Sequence, residues 1–159
     1  SVGGLHIGNY VGIGYNCMIV TFNHAYRNSE TIPYDNRIFL QPVIIRDFAW
    51  IGFNVNILPG IEIGEGAIVA MGSVVTKNVP PLAIVMGNPA TVIGRRSEQH
   101  FEKCKAEAKT NPNRILEIFG KFEEIIPIMT QKRYSKELQD LGLVPEPAAD
   151  PLIDPEIEG

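Results

Sequence analysis

Cysteine, tryptophan and histidine are scarce in these 159 residues, with two, one and three copies. Cys17 and Cys104 are too few for a disulfide framework and have no metal-type spacing. No apolar run approaches the roughly 20 residues of a membrane-spanning helix, and no basic opening with an apolar stretch reads as a secretory leader. No polybasic block occurs and the formal net charge is −4, which argues against nucleic acid as a main partner. A cytoplasmic protein is the expectation. Apolar residues, by contrast, make up 45 % of the chain, ample for one core.

Those apolar residues keep a beat of six. Isoleucine or valine stands at Ile7, Ile13 and Ile19, then at Ile45, Ile51, Ile57, Ile63, Val69 and Val75. A period of six is neither helical nor alternating; it suits a short strand, a corner and a repeat, with one branched side chain per strand pointing to a common axis. Four residues after each slot come Val11, Cys17, Asn23, Ala49, Val55, Ile61, Ala67, Ser73 and Val79, most of them small or β-branched, as a second inward position requires. Cys17 is therefore expected as a buried apolar filler. Asn16, Asn54, Gly60, Gly66, Gly72 and Asn78 fall at the remaining fixed position. They predict corners with a left-handed backbone, which Gly and Asn adopt at least cost. The repeat describes a prism-shaped solenoid.

The run from Val43 to Gly94 contains Trp50-Ile51-Gly52, Leu58-Pro59-Gly60, Gly72-Ser73-Val74-Val75-Thr76-Lys77 and Gly87-Asn88-Pro89-Ala90. It resembles the hexapeptide-repeat acetyltransferases, in particular the branch of galactoside, maltose, xenobiotic and polysaccharide O-acetyltransferases. The resemblance implies an all-β solenoid, a left-handed parallel β-helix with three hexads per coil over residues 1–96, with acetyl-CoA as cosubstrate; no metal is expected. It also implies a homotrimer with each site between two subunits.

After Ile19 the beat should return at residue 25 but resumes at Ile45, so twenty residues are inserted. They must leave the prism as a protruding loop, 25–42, hinged at Asn23-His24 and rich in polar and aromatic groups. His24 is the candidate catalytic residue. A hydroxyl needs a base to attack a thioester, and imidazole is the side chain best matched to neutral pH; in the resembled family the catalytic histidine also ends a coil before an extended loop. Direct transfer without an acyl-enzyme is expected, since neither cysteine stands beside a recognisable base. His6 lies eighteen residues earlier, one coil below on the same corner. With His100 outside the repeats, three zinc ligands are not assembled.

Carried over from the family by position, coenzyme A would meet Phe53 and Met71 through their backbones, and Thr76 and Lys77. Two basic phosphate contacts of relatives fall here on Thr91 and Gly94, and Arg95 and Arg96 are close enough to replace them. Candidate acceptor-binding residues are Asn23, Tyr26 and the outward-facing Trp50. The position equivalent to an acceptor-binding asparagine of the galactoside and maltose enzymes would precede Ser1, and the expectation turns away from free sugars. The acceptor is expected to be a sugar hydroxyl of a cell-surface polysaccharide or its precursor. A xenobiotic hydroxyl or the amine of an amino sugar is the alternative, and a non-catalytic β-helix scaffold the reading outside enzymes.

Past Arg96 the beat stops. Ser97 predicts a helix cap, with Phe101, Cys104 and Ala108 on one face of a helix to about Lys109. Further helices are expected over 113–126 and 131–141 within an appendage at 97–143. The tail at 144–159, with prolines and acids and few large apolar groups, reads as extended or disordered.

Overall fold

The computed structural model describes residues 3–113, and the expected later helices and tail lie outside the described residues. The chain divides into two compact units, 1–106 and 107–159; the described part of the second is the end of a helix and a turn.

Short strands follow one another around a triangular coil. The first turn carries β1 (Leu5–Ile7), β2 (Gly12–Ile13) and β3 (Met18–Ile19). The excursion of β4 (Phe22–His24) and β5 (Ile38–Leu40) comes next. The second turn has β6 (Val43–Ile45), β7 (Trp50–Ile51) and β8 (Asn56–Ile57). The third has β9 (Glu62–Ile63), β10 (Ile68–Val69) and β11 (Val74–Val75). β12 (Ala83–Gly87) begins a fourth turn on β10, which the hexad beat does not announce. β13 (Ala90–Arg95) folds back antiparallel on β12. The three walls are parallel: β1-β6-β9, β2-β7-β10-β12 and β3-β8-β11.

The register puts the beat in columns. Ile7 lies beside Ile45 and Ile45 beside Ile63; Ile13, Ile51, Val69 and Val85 form the second column, and Ile19, Ile57 and Val75 the third. The six slots from Ile45 to Val75 are at most 1 % exposed, and full burial of each side chain is worth about 1.5–3 kcal/mol. Ile7 and Ile13 depart from the expectation at 49 % and 42 % exposed. They occupy the first described turn, which among the described residues has a neighbouring coil on one side only.

Of the predicted left-handed corners, Asn16, Asn54, Gly60, Gly66 and Gly72 have positive φ. Asn78 does not have one, and its Oδ1 accepts the Glu62 N–H at 2.9 Å. Two bulky residues take the same corner, Tyr10 at φ 57° and Phe48 at 59°. Their rings stack at 4.9 Å, and this offsets part of a backbone cost of about 1–2 kcal/mol each.

The second inward positions are buried from Ala49 onward. Asn23 is the exception: it leaves the prism on β4 and is exposed. Cys17 is only partly enclosed, and its thiol donates to the Gly52 carbonyl at 3.1 Å. His6 is placed beside Ile44, which in turn lies beside Glu62. It is not stacked with His24, which departs with β4.

Ser97 Oγ accepts the His100 N–H at 3.3 Å as α1 (Glu98–Thr110) begins. Phe101 is buried, packed edge-on against Phe48 at 5.9 Å and over Gly66. Cys104, expected on one face with Phe101, is exposed, and its Sγ lies 3.5 Å from His100 Nε2; the expectation that neither cysteine stands beside a base fails for Cys104, because residues four apart on a helix are neighbours.

Candidate active site

The twenty-residue insertion is a braced hairpin rather than a simple loop. Backbone groups that leave the coil need partners, and they find them across the two legs: Phe22 opposite Leu40, Asn23 opposite Phe39, His24 opposite Ile38. The chain returns where the Gln41 N–H donates to the Thr21 carbonyl at 2.9 Å. The excursion therefore opens at Thr21 and Gln41, two or three residues before the expected hinge at Asn23-His24. Thr21 is buried there, its Oγ1 accepting the Gly3 N–H at 3.1 Å.

The head of the hairpin is tied internally. Arg37 Nε donates to both Asp35 carboxylate oxygens at 3.0 and 2.9 Å, and Arg37 Nη2 donates to the Asn28 carbonyl at 2.8 Å. Asp35 also accepts the N–H groups of Arg37 and Glu30. These bonds, Arg37's side chain foremost, hold the Asp35 carboxyl well below the usual carboxylate range. Thr31 Oγ1 donates to the Tyr34 carbonyl at 2.8 Å, next to the clasp.

His24 is the last residue of β4 and shares a strand face with Phe22, whose ring meets it edge-on at 6.2 Å. Tyr34 lies flat on the imidazole, with centroids 3.9 Å apart and planes 19° from parallel. Nδ1 is buried without a hydrogen-bond partner among the described residues. A buried orphan of this kind costs about 1–3 kcal/mol, and such groups in a folded protein call for a functional explanation.

His24 opens on a cavity of about 610 Å³, lined also by Asn23, Tyr26, Arg27, Phe39 and Gln41. Three expected site residues, Asn23, His24 and Tyr26, are thus brought together. Arg27, not singled out from the sequence, places its guanidinium 5.6 Å from the Tyr26 ring centroid. Tyr34, Asp35 and Arg37 were also missed, although an aspartate two residues before an arginine in a long polar insertion is a legible sign of a local clasp.

The remaining expected residues lie off this cavity. Trp50 faces outward on its wall between Gly12 and Ile68, 55 % exposed, and does not line the His24 cavity of its own chain. Phe53 and Met71 occupy one corner on successive turns, joined where the Gly72 N–H donates to the Phe53 carbonyl at 2.9 Å. Phe53 also stacks on Tyr15 at 5.8 Å. Thr76 and Lys77 are exposed after β11. Arg95 Nη2 donates to the Pro81 carbonyl at 3.3 Å. Arg96 is half-buried, burial lowers its pKa, and its Nε has no partner among the described residues. Among the described residues no three His, Cys, Asp or Glu side chains gather as a metal site requires, and no helix is long and apolar enough to cross a membrane.

Residues 42–77 match the family described as bacterial transferase hexapeptide, six repeats. A hexapeptide-repeat acetyltransferase of Vibrio cholerae O1 biovar eltor, complexed with acetyl-CoA, superposes with a TM-score of 0.53 at 33 % identity, over 59 % of this chain and 50 % of that one. A galactoside acetyltransferase in complex with coenzyme A gives 0.54 at 29 % identity, over 60 % and 46 %. A curated Schizosaccharomyces pombe relative with a provisional acetyltransferase name is 41 % identical over 91 residues, 55 % of this chain and 41 % of the relative. The curated matches also include N-acetyltransferases. The chain spans about half the length of the first curated relatives it matches. Residues 42–77 thus match hexapeptide-repeat transferases, and the three parallel walls agree with the β-helix expected from that resemblance.

Proposed function

We propose that this chain is an acetyl-CoA-dependent O-acetyltransferase, acting on a sugar hydroxyl of a cell-surface polysaccharide or its precursor in the cytoplasm. His24 is the general base. The observation that carries the reading is a half-buried imidazole, stacked on Tyr34, that lines a polar and aromatic cavity. Nε2 takes the acceptor hydroxyl proton as the oxygen bonds to the acetyl carbon; the carbon–sulfur bond then breaks, and the imidazolium returns the proton to the departing thiolate. No enzyme nucleophile is needed, and neither cysteine stands at the cavity.

The corner of Phe53 and Met71 suits an extended cosubstrate, because the outer side of Gly72 is open: a Cβ added there would meet no described atom within 4 Å. Backbone groups there would hold the pantetheine arm, with Thr76 beside it and Lys77, Arg95 and Arg96 as the cations available to phosphates. The His24 cavity and this corner are distinct surfaces of one chain, which supports a homotrimer whose clefts each join two subunits; exposed Trp50 would face a neighbour's acceptor pocket. Turnover of acetyl-CoA against a saccharide panel tests the reading. His24→Ala should lower transfer by about 10²–10⁴-fold while calorimetry shows coenzyme A affinity unchanged. A folded His24→Ala protein with wild-type turnover overturns it.

A further inference from the structure

We infer that the acceptor taken by the His24 cavity carries an oxyanion, a carboxylate or a phosphate, and that Arg27 recognises it. The inference rests on the reading of His24 as the catalytic base. Among the described residues, Arg27 is the only charged side chain lining the cavity apart from the titratable His24 itself. The ion pairs among the described residues join Arg37 to Asp35, Arg46 to Glu62, and Lys105 to Glu65 and Glu102. Arg27 is in none of them. Asp35, the acid in the head of the hairpin that could have neutralised it, is engaged by Arg37, and Glu30 lies outside the cavity lining.

Arg27 is exposed at the cavity and rests against one neighbouring ring. Its guanidinium sits 5.6 Å from the centroid of the Tyr26 ring, which lines the same cavity. A cation against an aromatic face is restrained, and its N–H donors are left free for a partner. A planar fork of donors matches carboxylate and phosphate geometry better than a neutral hydroxyl. The remaining polar lining, Asn23, Asn28 and Gln41, is uncharged and suited to sugar hydroxyls. The chain as a whole is at −4, so its long-range field does not draw anions. The selection is made locally, within the cavity. A uronic acid residue of a polysaccharide and a phosphorylated sugar precursor both offer this chemistry, and the experiment separates them.

Methyl glucoside, methyl glucuronide and methyl glucoside 6-phosphate form a set matched at the 2-, 3- and 4-hydroxyls. Thiol release from acetyl-CoA gives kcat/KM for each, and saturation-transfer NMR gives binding of each independently of turnover. We expect one or both anionic members to be favoured over the neutral one by about 10–100-fold, the range of a charge-assisted hydrogen bond. Arg27→Ala should collapse the ratio to within about twofold, and Arg27→Lys should retain part of it. A preference for the glucuronide alone assigns a uronic acid, and one for the phosphate alone a sugar phosphate. Equal response to charged and neutral members, including no binding of any, overturns the inference, as does a preference that survives Arg27→Ala. Because binding is read without chemistry, unchanged turnover in His24→Ala would remove the base and leave the charge preference standing. Loss of the charge preference would leave His24 untouched.

Discussion

The Tyr34 ring lies flat on the His24 ring, 3.9 Å between centroids and 19° from parallel. A residue ten positions along the chain thus forms one wall of the candidate base, held there by the hairpin rather than by the prism. Aromatic pairs are worth about 0.5–1.5 kcal/mol, enough to restrict how the imidazole turns. Tyr34→Ala should lower kcat about three- to tenfold with little change in coenzyme A affinity, and Tyr34→Phe should be near wild type. Equal losses in both variants would point to the hydroxyl rather than the stacked ring.

The clasp that carries Tyr34 should be insensitive to pH over the working range. Asp35 is held below its ordinary pKa by Arg37, so the clasp is fully formed above the unfolded carboxylate pKa, about 3.9. It is lost only as pH falls through the still lower folded value. Limited proteolysis within residues 25–37 should therefore proceed at a constant rate from pH 5 to 8, after correction for the protease's own profile. Asp35→Asn should be cut faster throughout. A wild-type rate that rises between pH 7 and 5 would show that another group holds the hairpin closed.

Two glycines separate steric closeness from backbone strain. A Cβ at Gly52 would lie 2.7 Å from the Met71 backbone nitrogen, so successive coils must part to admit it. At Gly72 nothing described lies within 4 Å, but φ is 74°. Gly72→Ala should cost about 1–2 kcal/mol, the ordinary penalty of a left-handed residue. Gly52→Ala should cost more, above the ~1–3 kcal/mol typical of overpacking, because backbone rather than a flexible side chain is in the way. Denaturant midpoints compared at constant m read both, and the reverse order would contradict the coil contact.

Much of the fold was legible because a solenoid repeats its constraints along the chain. Ile51 and Ile57 declare the axis by spacing alone, and Gly60 and Gly66 declare the corners. What spacing omits is how many coils flank a slot: Ile13 occupies the same slot as Ile51, yet it is exposed, because among the described residues a coil lies on one side of it only. Val85 continues a column after the hexad count has slipped across Pro80 and Pro81. At the site, His24 was marked by the break in the beat, a feature of the sequence itself. Tyr34 and Arg27 were not, since what distinguishes them is a stacking contact and a missing ion pair, and both are set by how the hairpin head folds.

Coenzyme A binding should separate Lys77 from Arg95 among the candidate phosphate cations. Lys77 is exposed and in no ion pair among the described residues. Arg95 already donates to Pro81, and Arg96 is half-buried. An incidental surface charge contributes about 0.2–1 kcal/mol, less than roughly sixfold in affinity. A true charge-assisted phosphate bond contributes about 1.5–3 kcal/mol, more than roughly tenfold. Lys77→Ala is expected in the second range and Arg95→Ala in the first, by calorimetry at fixed ionic strength. Dephospho-CoA locates the contact: if Lys77 meets the ribose 3′-phosphate, the Lys77→Ala protein should no longer distinguish it from coenzyme A. A loss below sixfold in Lys77→Ala would move the phosphates elsewhere on the prism.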